Sequence, residues 1–237
     1  MNPFLIFLAV LPGLIICYLI FRMDKYEKEP KALLVICFLL GMFITVPARY
    51  IESLEYTLGW SNMAVWWQLV LVAFVLVALT EELVKWLSLL VPFNSHHFNE
   101  PFDGIIYAVM IGMGFATLEN IIYADRFGLG TTLFRAFTAV PAHASFAVIM
   151  GYFVGLAKIN PDQKIQLWFK GLGSAVLLHG IYDFFILQEY YDGLMILATL
   201  TLAVGIYISI LLIRRAQSIS PFKGSKAEEE QAPLASS

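Results

Sequence analysis

Apolar residues run through this chain in long blocks, without the alternation of a strand or the one-sided stripe of a soluble helix. Seven blocks, at about 4–21, 33–51, 63–91, 104–124, 136–157, 167–187 and 193–213, can each cross a hydrocarbon core of roughly 30 Å at about 1.5 Å per residue. Each predicts a transmembrane helix, because a segment in lipid must satisfy its own backbone groups. The third block is overlong, and Trp60, Trp66 and Trp67 at its start predict an interfacial approach before the helix tilts through the core. No repeat of solenoid length recurs, and no inverted repeat relates one half to the other. The fold class expected is an all-α polytopic membrane protein, with about seven transmembrane helices enclosing a polar intramembrane cavity.

Composition sharpens this. Of 237 residues, 59% are hydrophobic and 14% charged, against roughly 45–50% and 25% in soluble domains. A net charge of −3, with Lys and Arg confined to a few loops, excludes nucleic acid as a partner and leaves the lipid bilayer. Cys17 and Cys37 sit in apolar blocks without the spacing of a disulfide framework or a metal pair, and read as small core residues. The first block follows no basic region and precedes no small-residue cleavage site, so it reads as a retained span. With the N-terminus outside, eleven Lys and Arg fall on the inner side and three, Arg49, Arg126 and Arg135, on the outer side. That bias predicts N-out and C-in. The organisation expected is one transmembrane unit over 1–215 and a disordered cytoplasmic tail over 216–237, where Ser, Pro and the Glu228 to Glu230 triplet cannot bury enough apolar area to order. Short loops suit a multi-pass protein of a bacterial cytoplasmic membrane.

The candidate chemistry is what the blocks tolerate. Ala78-Leu79-Thr80-Glu81-Glu82-Leu83-Val84-Lys85-Trp86 sets three charges in five positions of the third block. One such charge at a bilayer centre costs roughly 2.5–3.5 kcal/mol, so a lipid-facing helix would not carry them. Glu81 and Lys85 share a helix face and predict an ion pair, which leaves Glu82 to find a partner on another helix. Glu119 lies in the fourth block, after Gly112 and Gly114, and by itself reads as a partner for Lys85. His143 opens the fifth block above Gly151-xxx-Gly155, a small-residue packing face. His179 and Asp183, four apart in the sixth, place an imidazole beside a carboxylate that would orient it. Each has a structural explanation, as a register-fixing ion pair or a hydrogen-bonded core histidine. Four blocks carrying them together point to one polar cavity. Its carboxylates and imidazoles would activate water, or hold a divalent metal such as zinc through Glu81, Glu119, His143 and His179. The chain contains no HExxH and no GxSxG.

In order and placement these motifs resemble the PrsW family of intramembrane proteases, of the superfamily that includes the type II CAAX prenyl endopeptidases and the bacterial CPBP proteins. The residues that carry the likeness are Glu81-Glu82-x-x-Lys85, Phe115-x-x-x-Glu119, His143 and His179-x-x-x-Asp183. Flanking matches are Asp24 to Pro30, Pro101 to Gly104 and Leu118-Glu119-Asn120 through Tyr123. The likeness covers about Tyr18 to Phe185. It implies hydrolysis of a peptide bond in a membrane-anchored protein substrate, in the best-known case the first cut of an anti-sigma factor. It implies catalytic roles for Glu81, Glu82, Glu119, His143 and His179, with Lys85, Phe115, Asn120 and Asp183 in support. The chain departs from the CAAX branch at Glu119, where that branch has His, and at Ala147, where it tends to have Asn. Metalloprotease and glutamate-protease chemistries both stay open. The expected topology sets Glu81 nearer the cytoplasmic end of its span, whereas an anti-sigma first cut belongs on the outer side. Two other readings use the same residues: a non-catalytic scaffold that binds a partner helix, and a proton or ion pathway. The missing inverted repeat and helix breaks weigh against the pathway.

Overall fold

The computed structural model describes residues 2–60 and 62–224, and among them every regular element is helical. The helices are α1 (Pro3–Met23), α2 (Lys31–Glu52), α3 (Leu54–Leu58), α4 (Trp66–Leu71), α5 (Thr80–Ser88), α6 (Leu90–Phe93), α7 (Pro101–Phe137), α8 (Ala139–Ile159), α9 (Lys164–Leu187) and α10 (Met195–Ser218). A π-helical stretch, Val72–Leu79, joins α4 to α5. Among the described residues six stretches are long and apolar enough to cross a membrane, and one of these, Pro101–Ile159, has 59 residues. At about 1.5 Å per residue that stretch would be roughly 88 Å long, far more than one crossing. It folds back on itself. Pro101 meets Gly155, Gly104 meets Gly151, and Gly112 meets Ala147, which is antiparallel pairing of α7 with α8. Among the described residues seven helical legs therefore make up the bundle, in the places of the seven apolar blocks.

α7 is the central element because its first half is apolar all round, and such a helix must be covered on every side. Every residue from Pro101 to Thr117 is buried. Cover comes from close approach: a Cβ on Gly41 of α2 would overlap the Ile111 carbonyl of α7, and one on Gly114 would overlap the Phe38 carbonyl of α2. With no hydrophobic force between helices in lipid, such backbone contact is a principal source of cohesion. α7 breaks at Gly128, whose φ of 75° and ψ of −160° only glycine adopts readily. Beyond it a short return leg brings residues 129–137 back along the far end of α7. Cys17 and Cys37 are free and buried in the core.

At the opposite end of α7 the first loop is latched to the helix start. The Tyr107 hydroxyl donates to Glu29 Oε2, Asn99 Nδ2 donates to Glu27 at 2.8 Å, and Asp103 Oδ2 accepts the backbone N–H of Asn99 and of Glu100. Burial, partly offset by hydrogen bonds from Tyr107 and Asp103, pushes the Glu29 carboxyl up from 4.5 to about 7, with Asp24 and Glu27 adding to the rise. α10 closes the same end. It runs to Ser218, three residues beyond the expected boundary of the transmembrane unit, and buried Gln217 donates to the Met23 carbonyl at 2.6 Å. Most of the expected tail, residues 225–237, lies outside the described residues.

Two outcomes are expected. Gly114→Ala forces α2 and α7 apart and costs at least the roughly 1–3 kcal/mol of an overpacked core, read as a lower melting temperature in detergent. Because Glu29 holds its proton more tightly in the docked loop than its ordinary value allows, docking is strongest below pH 4.5 and weakens as pH rises through about 7. Melting temperature followed from pH 5 to 8 should fall across that window, and Glu29→Gln should flatten the fall.

Candidate active site

The polar residues singled out in the sequence do converge. α5 presents Glu81, Glu82 and Lys85, all buried, on a polar face turned into the bundle, the inverse of a soluble amphipathic helix. The π-helical stretch before it adds residues to the turn and so resets which face α5 shows relative to α4. α7 supplies Phe115, Glu119 and Asn120, α8 supplies His143, and α9 supplies His179 and Asp183.

Lys85 is the hub. Its Nζ donates to Glu81 Oε2 at 2.9 Å and Glu82 Oε1 at 2.8 Å, and lies 3.2 Å from His143 Nδ1 and 4.2 Å from the centre of the Phe115 ring. The ammonium thus bridges both glutamates instead of pairing with Glu81 alone. Glu82 also finds its expected partner on another helix, with His179 Nδ1 2.9 Å from its Oε1. The two imidazoles are set alike. His143 turns Nδ1 toward Lys85 and Nε2 to Glu119 at 3.1 Å, while His179 turns Nδ1 toward Glu82 and Nε2 to Asp183 at 3.1 Å. Each ring therefore has one nitrogen facing the cluster and one held by an outer carboxylate. That is the arrangement by which proteins orient catalytic and metal-binding histidines. Phe146 stacks on His179 at 4.6 Å and fixes its plane.

Glu119 is not the partner of Lys85. It is held by Arg135 at 2.6 Å and faced by Arg49 at 3.7 Å, and Arg135 also donates to Asn120 at 3.1 Å. Asn120 in turn donates to the Ala9 carbonyl of α1 at 3.1 Å. Both arginines look like outer-loop charges when the sequence is read alone. Arg135 reaches the site only because the chain reverses at Gly128, and Arg49 only because α2 ends beside α7. Glu52, paired with Arg49 at 3.0 Å, is a further site carboxylate that no motif marks. The residues surround a cavity of about 190 Å3 whose wall includes Glu52, Glu81, Glu119, His143, His179 and Asp183. Glu82 and Lys85 stand behind Glu81 and do not line it.

One set of four fits a metal: Glu81, Glu82, His143 and His179 offer ligand atoms all within 4.8 Å of one another. Glu82 takes the place expected for Glu119, which stands one imidazole further out. The donor set of two carboxylates and two imidazoles suits zinc, and Glu82 Oε2 is buried with no hydrogen-bond partner among the described residues. Charge points the same way. Arg49, Lys85 and Arg135 face Glu52, Glu81, Glu82, Glu119 and Asp183, a formal excess of two negative charges when the imidazoles are neutral.

A profile described as PrsW family intramembrane metalloprotease matches residues 29–214. The chain belongs to the PrsW family. Its relatives include proteins named Protease PrsW from Geobacillus kaustophilus, 35% identical over 225 residues that cover 92% of this chain and 97% of the relative. Those of Clostridioides difficile (36% over 194 residues, 78% and 80% covered) and Bacillus subtilis (34% over 178 residues, 74% and 79%) are similar. No solved structure matches the chain with significance. The PrsW profile starts at Glu29 and ends within α10, so it takes in every residue of the cluster.

Removing the hub tests the electrostatics. Lys85→Met leaves two buried carboxylates without their cation, and loss of one partner of a buried pair costs about 3–5 kcal/mol. The expected outcome is a lower detergent melting temperature, largely restored in Lys85→Met/Glu82→Gln.

Proposed function

We propose that this chain is an intramembrane endopeptidase acting on a membrane-anchored protein, with Glu81 as the base that activates the attacking water. The observation that supports it best is the convergence of Glu81, His143 and His179, from three legs of the bundle, at the wall of one buried cavity, with Glu82 directly behind them. Glu81 faces the cavity, so its carboxylate can take a proton from water as the oxygen attacks the scissile carbonyl. The same carboxyl then hands that proton to the departing amine as the C–N bond breaks. His143 and His179 stand beside it to stabilise the oxyanion. Glu82 and Lys85, behind Glu81, hold its position and charge. Glu119 and Asp183 orient the two imidazoles. Where a divalent metal is bound, Glu81, Glu82, His143 and His179 would hold it, and it would supply Lewis-acid polarisation and a more acidic water. Lys85 already neutralises the same carboxylates and would compete with it.

The cavity lies at the end of the bundle formed by the last turn of α2, the far half of α7, the start of α8 and the end of α9. With the N-terminus outside, as the Lys and Arg bias favours, that end faces outward. Glu81, 15 residues after Trp66 and 12 before Phe93, then sits near mid-span and faces a cavity that opens outward, which supports an outer-side cut. An outward cavity suits a first cut in an anti-sigma factor, the substrate class we infer for a bacterial stress response. The two-glutamate motif also supports kinship with the CAAX endopeptidases, with Glu119 standing where that branch has His. The same closed set of ion pairs around Lys85 and Glu119 supports the second reading, a non-catalytic scaffold.

Purified chain reconstituted in liposomes with candidate single-span proteins, among them anti-sigma factors, separates these. Cleavage by the wild type should fall by at least about 10²-fold in Glu81→Gln while the melting temperature is kept. Loss of cleavage in chelator, restored by zinc, marks metal dependence, and retention marks a carboxylate mechanism. Cleavage that survives Glu81→Gln sinks the assignment of the base, and a folded wild type that cleaves nothing leaves the scaffold.

A further inference from the structure

The polar cavity has an apolar neighbour. A second cavity, of about 200 Å3, shares Phe134, Thr138, Tyr182 and Ile186 with the first and extends beyond them to Ala198, Thr199 and Leu202 of α10. The four shared residues are the partition between the two. On one side of it lie Glu81 and the imidazoles, and on the other the wall is mostly hydrocarbon, without a charged side chain. The Thr138 hydroxyl is already committed to the Phe134 carbonyl at 2.7 Å. Phe134, Met195 and Ile196 in its wall are exposed, so it sits at the lipid edge of the bundle.

A peptide bond that comes from within a membrane brings apolar side chains with it. In the polar cavity such a side chain would desolvate Arg49, Glu52, Glu119 and Arg135 with nothing in return. The neighbouring cavity can, and its size corresponds to one large side chain, not to a helix. We propose that it is the subsite that seats a large aliphatic or aromatic side chain of the substrate's membrane segment, beside the bond presented to Glu81. This rests on the endopeptidase reading and adds to it a specificity and the residues that set it. Phe134 and Tyr182 form the threshold, and Thr199 lies in the far wall. Hydrophobic pockets discriminate by about 10- to 200-fold for a methylene or so of fit, so the preference should be measurable.

The test uses the single-span protein cleaved in liposomes, remade with Ala, Leu or Phe at each of the three positions on either side of the cut. The wild type should prefer Leu or Phe over Ala by at least about 10-fold in kcat/KM at one of these positions. Thr199→Trp, which fills the cavity from its far wall, should lower kcat/KM for the Leu and Phe substrates by at least about 10-fold and so abolish that preference. Absence of any size preference, or an equal loss on all three side chains, overturns the subsite. A second measurement does not need turnover. p-Benzoylphenylalanine replaces Thr199 in Glu81→Gln and is irradiated with the same protein, or with a synthetic single-span peptide of Leu and Ala where no cleavable protein is found. Attachment to the membrane segment supports the subsite even when the protease reading has failed, and attachment to lipid alone overturns it.

Discussion

An ammonium group placed among carboxylates, deep in a bundle that faces lipid, is the constraint on which the rest of the molecule turns. Lys85, Glu81 and Glu82 are each prohibitively placed when alone, and tolerable only because the ammonium lies within 3 Å of both carboxylates. Their arrangement demands helices on every side to keep lipid away, and it demands further partners for the oxygens that one ammonium cannot satisfy. His143 and His179 meet that demand from α8 and α9, and the outer carboxylates Glu119 and Asp183 then fix the imidazoles. The polar centre is thus a network whose electrostatics select its neighbours.

Packing makes the network possible. Backbone contact at Gly41, Gly104, Gly114, Gly151 and Gly155 draws α2, α7 and α8 together, and this puts Glu119, at the far end of α7, beside the first turns of α8. The π-helical stretch performs the complementary adjustment on the third leg by rotating α5 relative to the segment that enters the membrane. On its inner side the site is walled by helices that cross closely. Its outer wall is built from the return leg after Gly128, which Arg135 ties to Glu119 and Asn120 of α7.

Much of this was legible in the sequence because a charge inside an apolar block has few physical explanations. The seven legs, the inward face of α5, and the convergence of Glu81, Glu82, Glu119, His143 and His179 all follow from that rule. What was not legible depended on where the chain turns. Arg135 lies in a stretch that reads as a loop, and the reversal at Gly128 that returns it to Glu119 leaves no periodic trace in the residues. Arg49 and Glu52 end an apolar block and look like ordinary boundary charges. The choice of Glu82 over Glu119 for the inner set of four hinged on side-chain directions across three helices, which spacing along one helix does not encode.

The pairing within α5 also bears on how such a chain enters a membrane. Helices are delivered to lipid in order, and the third leg must be accommodated before α8 and α9 exist to receive it. Because Lys85 reaches Glu81 and Glu82 one turn before it on its own helix, the segment carries its counter-ion with it and arrives with a single excess negative charge. The histidines that face this charge come from legs made later. The order of the elements along the chain therefore lets the polar centre be built stepwise, with the first charges partly cancelled before their distant partners are synthesised.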